Sequence, residues 1–323
     1  MKVVGFKRWA MVALMTLGGA MGVSTAQAYP DKPITIVVPF SPGSGTDQIA
    51  RGMAQVLSKG LGNATVVVDN KPGAGGGIAA QTVARAAADG YTLLMTTNTT
   101  QSANPHLFKK LAYDPNRDYE PIAAIARGSM LLVVPTSSPA NSVAAFLEQA
   151  KGKNLSFGAG NSSSRVAAEM LAQMTGNKFL YVPYKSNPQA VTDLIGGQID
   201  FMLADTAVAL PLVQSGKLKA IAYAGSNRIK AAPAVPTLAE SGVPGYELYY
   251  WVGVYAPRST PAPVVTRLND ALIKAVDDPA VEKIYASAVL DRFTTSPGGL
   301  GEFQTSELKK WGQVIRAAGI QPE

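Results

Sequence analysis

Three times along this chain an apolar run breaks into a turn of glycine, serine or asparagine and then opens a helix-patterned stretch. The first is Ile34 to Val38, then Pro39-Phe40-Ser41-Pro42-Gly43-Ser44-Gly45-Thr46-Asp47, after which apolar positions recur at Ile49, Met53, Val56 and Leu57. That spacing is the buried face of a helix. The second runs Val66 to Val68, then Lys71-Pro72-Gly73-Ala74-Gly75-Gly76-Gly77, then a helix expected over Ile78 to Ala88. The third is Leu155 to Phe157, then Gly158 to Ser164, then a helix expected over Arg165 to Thr175. Strand, turn and helix repeated in this way predict an α/β fold with a parallel sheet, and ligands in such sheets sit beyond the carboxyl ends of the strands.

The turns have a chemistry of their own. A helix start leaves backbone N–H groups without partners and carries the positive end of the helix dipole, so it can hold an anion without any basic side chain. The first turn alone fits an empty tight βα turn equally well. Ser44-x-x-Asp47 also reads as a capping box, which assigns Asp47 to the helix rather than to a ligand.

Residues 1–28 read as an export signal: Lys2, Lys7 and Arg8 precede an apolar stretch from Trp9 to Val23, and Ala26-Gln27-Ala28 fits a small-x-small cleavage site. The mature chain is expected to begin at Tyr29 in the periplasm. Loss of those three basic residues, with no acidic one, lowers the formal charge from +7 to +4. The remaining basic residues are scattered, without the stripe that nucleic-acid binding needs. Cysteine is absent and histidine occurs once, at His106, which removes thiolate chemistry and histidine-cluster metal sites. No cofactor is expected. His106, in a loop entering a short helix, is expected at the surface or at a cap.

About 295 mature residues suit two lobes better than one core. Tyr91 to Met95 reads as a third strand, closed by the polar cluster Thr96-Thr97-Asn98-Thr99-Thr100. A second alternating stretch follows Met130 to Pro135: helix Ser142 to Ala150, the third strand–turn–helix, strand Phe179 to Val182, helix Pro188 to Ile195, and strand Ile199 to Leu203 ending at Asp205. Met130 to Val134 and Tyr249 to Tyr255 are the expected crossings between lobes. Two lobes with amide-rich turns on one edge suggest a cleft closed by hinge motion.

Several stretches together resemble one family. Pro39-Phe40-x-Pro-Gly-x-Gly-x-Asp47, Val68-Asp-Asn-Lys-Pro-Gly-Ala-Gly-Gly76, Asp89-Gly-Tyr-Thr-Leu-Leu94, Val182-Pro-Tyr-Lys185, Asp193 to Asp200, Gly216-Lys-Leu-Lys219, Val235-Pro-Thr-Leu-Ala-Glu240, Trp251-x-Gly253, Ala256-Pro257 and Thr260-Pro261 occur in order over the mature chain. They resemble the extracytoplasmic solute-binding receptors of tripartite tricarboxylate transporters, the Bug (TctC-like) family. The resemblance implies a type II periplasmic-binding-protein architecture, two α/β lobes around a hinged cleft. Domain 1 would comprise residues 29–128 and 249–323, and domain 2 residues 129–248.

It also implies a site. Phe40, Ser44, Gly45, Thr46 and Asp47 of the first loop, Gly75 and Gly76 of the second, and Asn98 at the end of the third strand would hold one ligand carboxylate. Asn161, Ser162, Ser163, Ser164, Arg165 and the neighbourhood of Asp205 would meet its far end. Arg165 departs from the family pattern: an arginine at a helix start opposes the dipole, and a second ligand carboxylate would offset that through a bidentate pair. A pair with Glu169, or exposure to solvent, is the alternative. Tyr184-Lys185-Ser186-Asn187 also departs from the usual Tyr-Lys-Gly. Phe40, Tyr184 and Tyr249-Tyr250-Trp251 could form stacking walls, which favours a dicarboxylate, including an aromatic one such as terephthalate. The expected partners are a small carboxylate and the transporter's membrane subunits, with the receptor a monomer. A receptor reporting to a membrane sensor is the alternative. A serine hydrolase is more distant, since Ser306-x-x-Lys309 and Gly160-Asn-Ser162 each lack the rest of a nucleophile signature.

Overall fold

A computed structural model describes residues 29–323, so the expected signal segment lies outside the described residues. The first lobe begins with β1 (Ile34–Val38), α1 (Gly45–Gly60), β2 (Val66–Asn70), α2 (Gly77–Ala84), β3 (Thr92–Thr97), α3 (Asn104–Leu107) and β4 (Tyr119–Gly128). The second lobe follows as β5 (Met130–Pro135), α4 (Val143–Ala150), β6 (Leu155–Ala159), α5 (Ser162–Thr175), β7 (Phe179–Pro183), α6 (Asn187–Ile195), β8 (Met202–Asp205), α7 (Thr206–Gln214) and β9 (Leu218–Tyr223). The chain returns through β10 (Tyr250–Pro257), α8 (Ala262–Val276), α9 (Pro279–Ala288), β11 (Asp291–Arg292) and α10 (Pro297–Ala317).

The first sheet runs β11-β4-β10-β3-β1-β2. Strands β2 and β3 pair parallel with β1, in registers that include Ile34 opposite Val66 and Thr35 opposite Thr92. β10 lies antiparallel between β3 and β4, so within this sheet the parallel expectation holds for β1, β2 and β3 only. The two-residue period of a strand decides the layers. Ile34, Ile36 and Val38 point to one face, where they pack with Ile49, Met53 and Leu57 of α1 and with Leu268 and Leu272 of α8. Val37 points to the other, against Ala79, Ala80 and Val83 of α2 and Leu300 of α10. Each fully buried valine, isoleucine or leucine among these contributes about 1.5–3 kcal/mol of hydrophobic stabilisation.

The second lobe repeats the scheme around β5, which is antiparallel to both β8 and β9. Leu132 and Val134 face Phe146, Phe157 and Phe201, while Leu131 and Val133 face Leu194 of α6 and Leu210 of α7. β6 and β7 are parallel, and a bridge from Phe157 to Phe201 joins them to the rest. α10 spans both layers of the molecule: Leu300 belongs to the first lobe's core, and Trp311 and Ile315 pack with the second lobe's.

The expected crossings sit beside the actual ones. β4 ends at Gly128 and β5 begins at Met130, so the outward crossing is Ser129. Its hydroxyl donates to the carbonyl of Leu248 at 2.7 Å, tying the outward crossing to the return one. β10 itself is a central strand of the first sheet.

Three boundaries differ from expectation by three residues or more. α2 ends at Ala84 rather than Ala88, because its last buried anchor is Val83 and an alanine-rich run without packing does not hold a helix. α5 begins at Ser162 rather than Arg165, because Asn161 accepts from the Ser164 N–H and caps it three residues earlier. The strand expected at Ile199 begins at Met202 and runs to Asp205. Among the described residues no helix is long and apolar enough to cross a membrane.

Candidate functional site

Four helices start at one place. The N-caps of α1, α5, α6 and α7 are Ser44, Asn161, Ser186 and Asp205, and all four line a single slot between the lobes. Phe40, Gly45, Thr46, Thr97, Ser163, Asn187 and Tyr250 complete its walls. No lysine or arginine is among them. Each helix is at least nine residues long, so each turns its first-turn N–H groups and a positive dipole end toward the same space, although Pro188 supplies no N–H in α6 and the Thr206 N–H of α7 donates to the Ser129 carbonyl. The slot is drawn in to about 10 Å³, which is room for about one water.

The lobes touch directly around it. The Ser41 N–H donates to Ser186 Oγ at 3.2 Å. Asn98 Nδ2 donates to Ser163 Oγ at 3.0 Å, and Ser162 Oγ donates to Asn104 Oδ1 at 2.7 Å. A Cβ on Gly45 would stand 3.1 Å from Cβ of Ala207 across the gap.

The first loop owes its shape to Asp47. Ser44 Oγ accepts from the Asp47 N–H, while the Asp47 carboxylate accepts from the Gly43 N–H, Arg51 Nε and Asn70 Nδ2. This is the capping box displaced by one residue, since the carboxylate takes the N–H before the cap. Burial opposes ionisation of Asp47, but Arg51 and the two N–H donors outweigh it and hold the carboxyl below its usual range. Asp47 therefore organises the loop and does not line the slot.

Asp205 is the slot's one carboxylate. It is 8% exposed, and its Oδ2 accepts from Asn187 Nδ2 at 2.9 Å and Asn161 Nδ2 at 3.3 Å. Burial pushes its carboxyl up to about 6, against the pull of those two amides. Beside it, burial above all and then the charge of Asp205 raise the phenol of Tyr250 well above its ordinary value.

A second pocket of about 300 Å³ adjoins the slot, with Asn161 in the walls of both. Gly75, Phe108, Ser162, Arg165, Tyr184 and Lys185 line it. Arg165 lies over the ring of Tyr181 at 4.6 Å and pairs with Glu323, not with Glu169. The reason is tertiary: the Glu323 backbone bonds to Leu107 and Lys109, which sets its side chain beside the start of α5.

The expected site residues thus divide. Phe40, Ser44, Gly45, Thr46, Asn161, Ser163 and Asp205 line the slot, and Gly75, Ser162 and Arg165 line the adjoining pocket. Asn98, Ser164, Asp47 and Gly76 stand behind the walls. Asn98 pairs with Ser163, Ser164 Oγ accepts from Asn187, and Gly76, at φ +85°, packs on Pro39 and Thr100. Thr97, Ser186 and Asn187 were not expected in the site. Ser186-Asn187-Pro188 carried a readable signal, a serine cap with proline in the first turn. Of the aromatic walls, Tyr250 reaches the slot, but Trp251 is buried against Phe303 and Tyr249 packs under Arg127.

His106 is not a surface or capping group. Its Nε2 lies 2.9 Å from the Leu308 carbonyl, and its ring fills the space over Gly312, where a helix without a side chain lets α3 approach α10. Ser306 Oγ donates to the Phe303 carbonyl of its own helix. A larger pocket of about 920 Å³ lies on the back of the first lobe between α1 and α8. Of its charged residues, Lys59, Arg267, Asp270 and Lys274 are exposed and Asp278 is half-buried.

The sequence profile of the tripartite tricarboxylate transporter family receptor, TctC, matches residues 49–320. Among solved structures, the periplasmic binding protein BugD is 32% identical, with a TM-score of 0.87 over 91% of this chain and 100% of that one. A protein of R. palustris with adipate is 33% identical, with a TM-score of 0.88 over 91% and 100%. MatC from Rhodopseudomonas palustris, with bound malate, is 32% identical, with a TM-score of 0.83 over 89% and 100%. With the motifs in order, the two lobes and the converging helix starts, this chain belongs to the Bug/TctC family of solute-binding receptors and has the type II periplasmic-binding-protein fold.

Proposed function

We propose that this protein captures a small dicarboxylate in the slot by closure of its two lobes, and passes it in the periplasm to the membrane subunits of a tripartite transporter. The observation that carries the reading is the convergence of four helix N-caps, one from the first lobe and three from the second, on a space lined by no lysine or arginine. Fixed amides and dipoles favour a carboxylate there without the desolvation of a lysine or arginine. One carboxylate would rest on the Ser44–Thr46 loop. The second would extend past Asn161 toward Arg165 in the adjoining pocket, with Phe40 and Tyr250 flanking the body of the ligand, aliphatic or aromatic. The adipate and malate of the two R. palustris structures support the ligand class.

Closure is the mechanism. With residues 29–128 and 249–323 as one lobe and 129–248 as the other, only a ligand that touches both shifts the open–closed balance. The test is a thermal-shift panel on mature protein, unfolded and refolded to remove carried-over ligand. It would include adipate, malate, terephthalate, monocarboxylates and amino acids. A ligand at about a hundred times its Kd adds about 2.7 kcal/mol, so dicarboxylates should raise Tm by a few degrees and monocarboxylates by less. Stabilisation by amino acids alone, or by none of the panel, would remove the reading.

A further inference from the structure

Asp205 places a carboxylate in the very slot assigned above to the carboxylate of a ligand. Its surroundings supply no cationic side chain. β5, β8 and α7, the elements continuous or paired with it, carry no other charged residue. β10 brings Tyr250, and Tyr223 of β9 lies beyond it. From α1 the nearest charge is Asp47, already engaged by Arg51 and Asn70. From α5, Arg165 turns into the adjoining pocket toward Tyr181 and Glu323, and Lys185 before α6 is exposed there.

The hydrogen bonds distinguish the two oxygens. Both amides, from Asn161 and Asn187, donate to Oδ2, and among the described residues Oδ1 has no donor. Oδ2 is thus held as the carbonyl-type oxygen, and Oδ1 is the atom free to carry a proton. Two ionised carboxylates sharing a space without a cation repel, and one of the pair takes up a proton.

We propose that Asp205 meets the ligand as a carboxylic acid, so that capture of a carboxylate takes one proton from solvent onto Asp205 Oδ1, which donates it as a hydrogen bond to a ligand oxygen. The proton returns to solvent when the ligand leaves. This rests on the carboxylate reading of the slot. Asp205 is then the group that selects acceptor-bearing ligands, and it couples capture to periplasmic pH. Its raised carboxyl, at about 6 before ligand binds, sets where the coupling begins.

The test is calorimetric titration of the mature, ligand-stripped protein with adipate, and separately malate, at pH 6, 7 and 8 in phosphate and in Tris. The two buffers differ in ionisation heat, so proton uptake is read directly. Adipate affinity should fall by about tenfold for each pH unit above 6, with uptake approaching one proton per ligand at pH 8. Asp205→Asn should bind with an affinity that is flat over this range and take up no proton. Binding of adipate by the wild type with flat affinity and no uptake would overturn the proposal. So would an Asp205→Asn variant with native circular dichroism that binds neither acid at any pH, because the asparagine amide keeps the hydrogen-bond donor that the proposal requires. If neither acid binds the wild type at any pH, the dicarboxylate reading falls, and this inference with it.

Discussion

The backbone N–H of Ser41 donates to the hydroxyl of Ser186 at 3.2 Å, although 145 residues separate them. Ser186 is the N-cap of α6 but makes no cap bond within its own helix. Its hydroxyl is spent across the cleft instead, so a helix start in the second lobe helps to hold the first lobe's loop. Asn98–Ser163 and Asn104–Ser162 bonds repeat the pattern nearby. The closed arrangement is built from a few hydrogen bonds of about 0.5–1.5 kcal/mol each, weak enough for a ligand to decide the balance.

Ser186→Ala removes one of these bonds and leaves both cores untouched. The ligand-free protein should then sample more open states, seen as a larger radius of gyration by small-angle X-ray scattering. Ligand affinity should fall by no more than about tenfold, the value of one neutral hydrogen bond. An unchanged radius with unchanged affinity would show that the bond does not contribute to closure.

Gly45→Val tests the gap itself. The added side chain meets Ala207 on the opposite lobe, since a Cβ alone already stands 3.1 Å away. Overpacking of a closed contact costs about 1–3 kcal/mol. Because it is incurred only on closure, dicarboxylate affinity should fall by about tenfold or more while the ligand-free Tm stays within a few degrees. Normal affinity in the folded variant would count against the slot as the binding site.

Asp205 should make the protein less stable as pH rises. Its folded carboxyl is raised to about 6 from the ordinary 3.8, so the folded state holds more protons between those values. Stability therefore falls from pH 4 to pH 6 and levels off above. Asp205→Asn should be more stable than wild type at pH 7.5, by up to about 3 kcal/mol, with the difference shrinking toward pH 4. Urea melts at the two pH values read this directly.

Asp47 should act with the opposite sign. Its carboxyl is held below its ordinary value, so the stability it contributes is present above that value and is lost as pH falls through the lowered one. Asp47→Ala leaves the Gly43 N–H and one of the two Asn70 amide protons without an acceptor, the other still donating to the Phe40 carbonyl. It should cost about 1–3 kcal/mol at pH 7 and flatten acid unfolding below pH 4.

Arg165→Ala separates ligand classes. If the second carboxylate reaches this guanidinium, adipate affinity should fall by at least about tenfold, in the range of a charge-assisted hydrogen bond. Hexanoate, of the same chain length with one carboxylate, should change little. Equal loss for both would leave Arg165 as a partner of Glu323 and Tyr181 alone.

Much of this protein is legible along the chain. The apolar alternation of Ile34 to Val38, the 3.6-residue rhythm of α1 and the caps at Ser44 and Asn161 are local patterns, and local hydrogen bonding enforces them. The ordered motifs likewise place the chain in its family. Asp205 was readable as the end of a strand, and Ser186 as a cap, but neither residue carries a sign of what stands opposite. Arg165 shows the limit well: its helix position suggested Glu169 one turn on, yet the partner it meets is 158 residues away. Trp251 and Tyr250 are neighbours in sequence, and the strand's alternation sends Trp251 to the α2 and α10 face of the sheet and Tyr250 to the opposite face, where it reaches the slot.

The sequence by itself therefore determined the elements, their order, the turns at the sheet edge and the family, because these depend on periods of two and 3.6 residues and on caps within four residues. The tertiary structure alone decided that four helix starts share one slot, that Asp205 stands there without a cation, that Gly45 opposes Ala207, and that His106 fills the space over Gly312. Those relations depend on how two separately packed cores meet across Ser129 and Leu248, and no local period encodes that meeting.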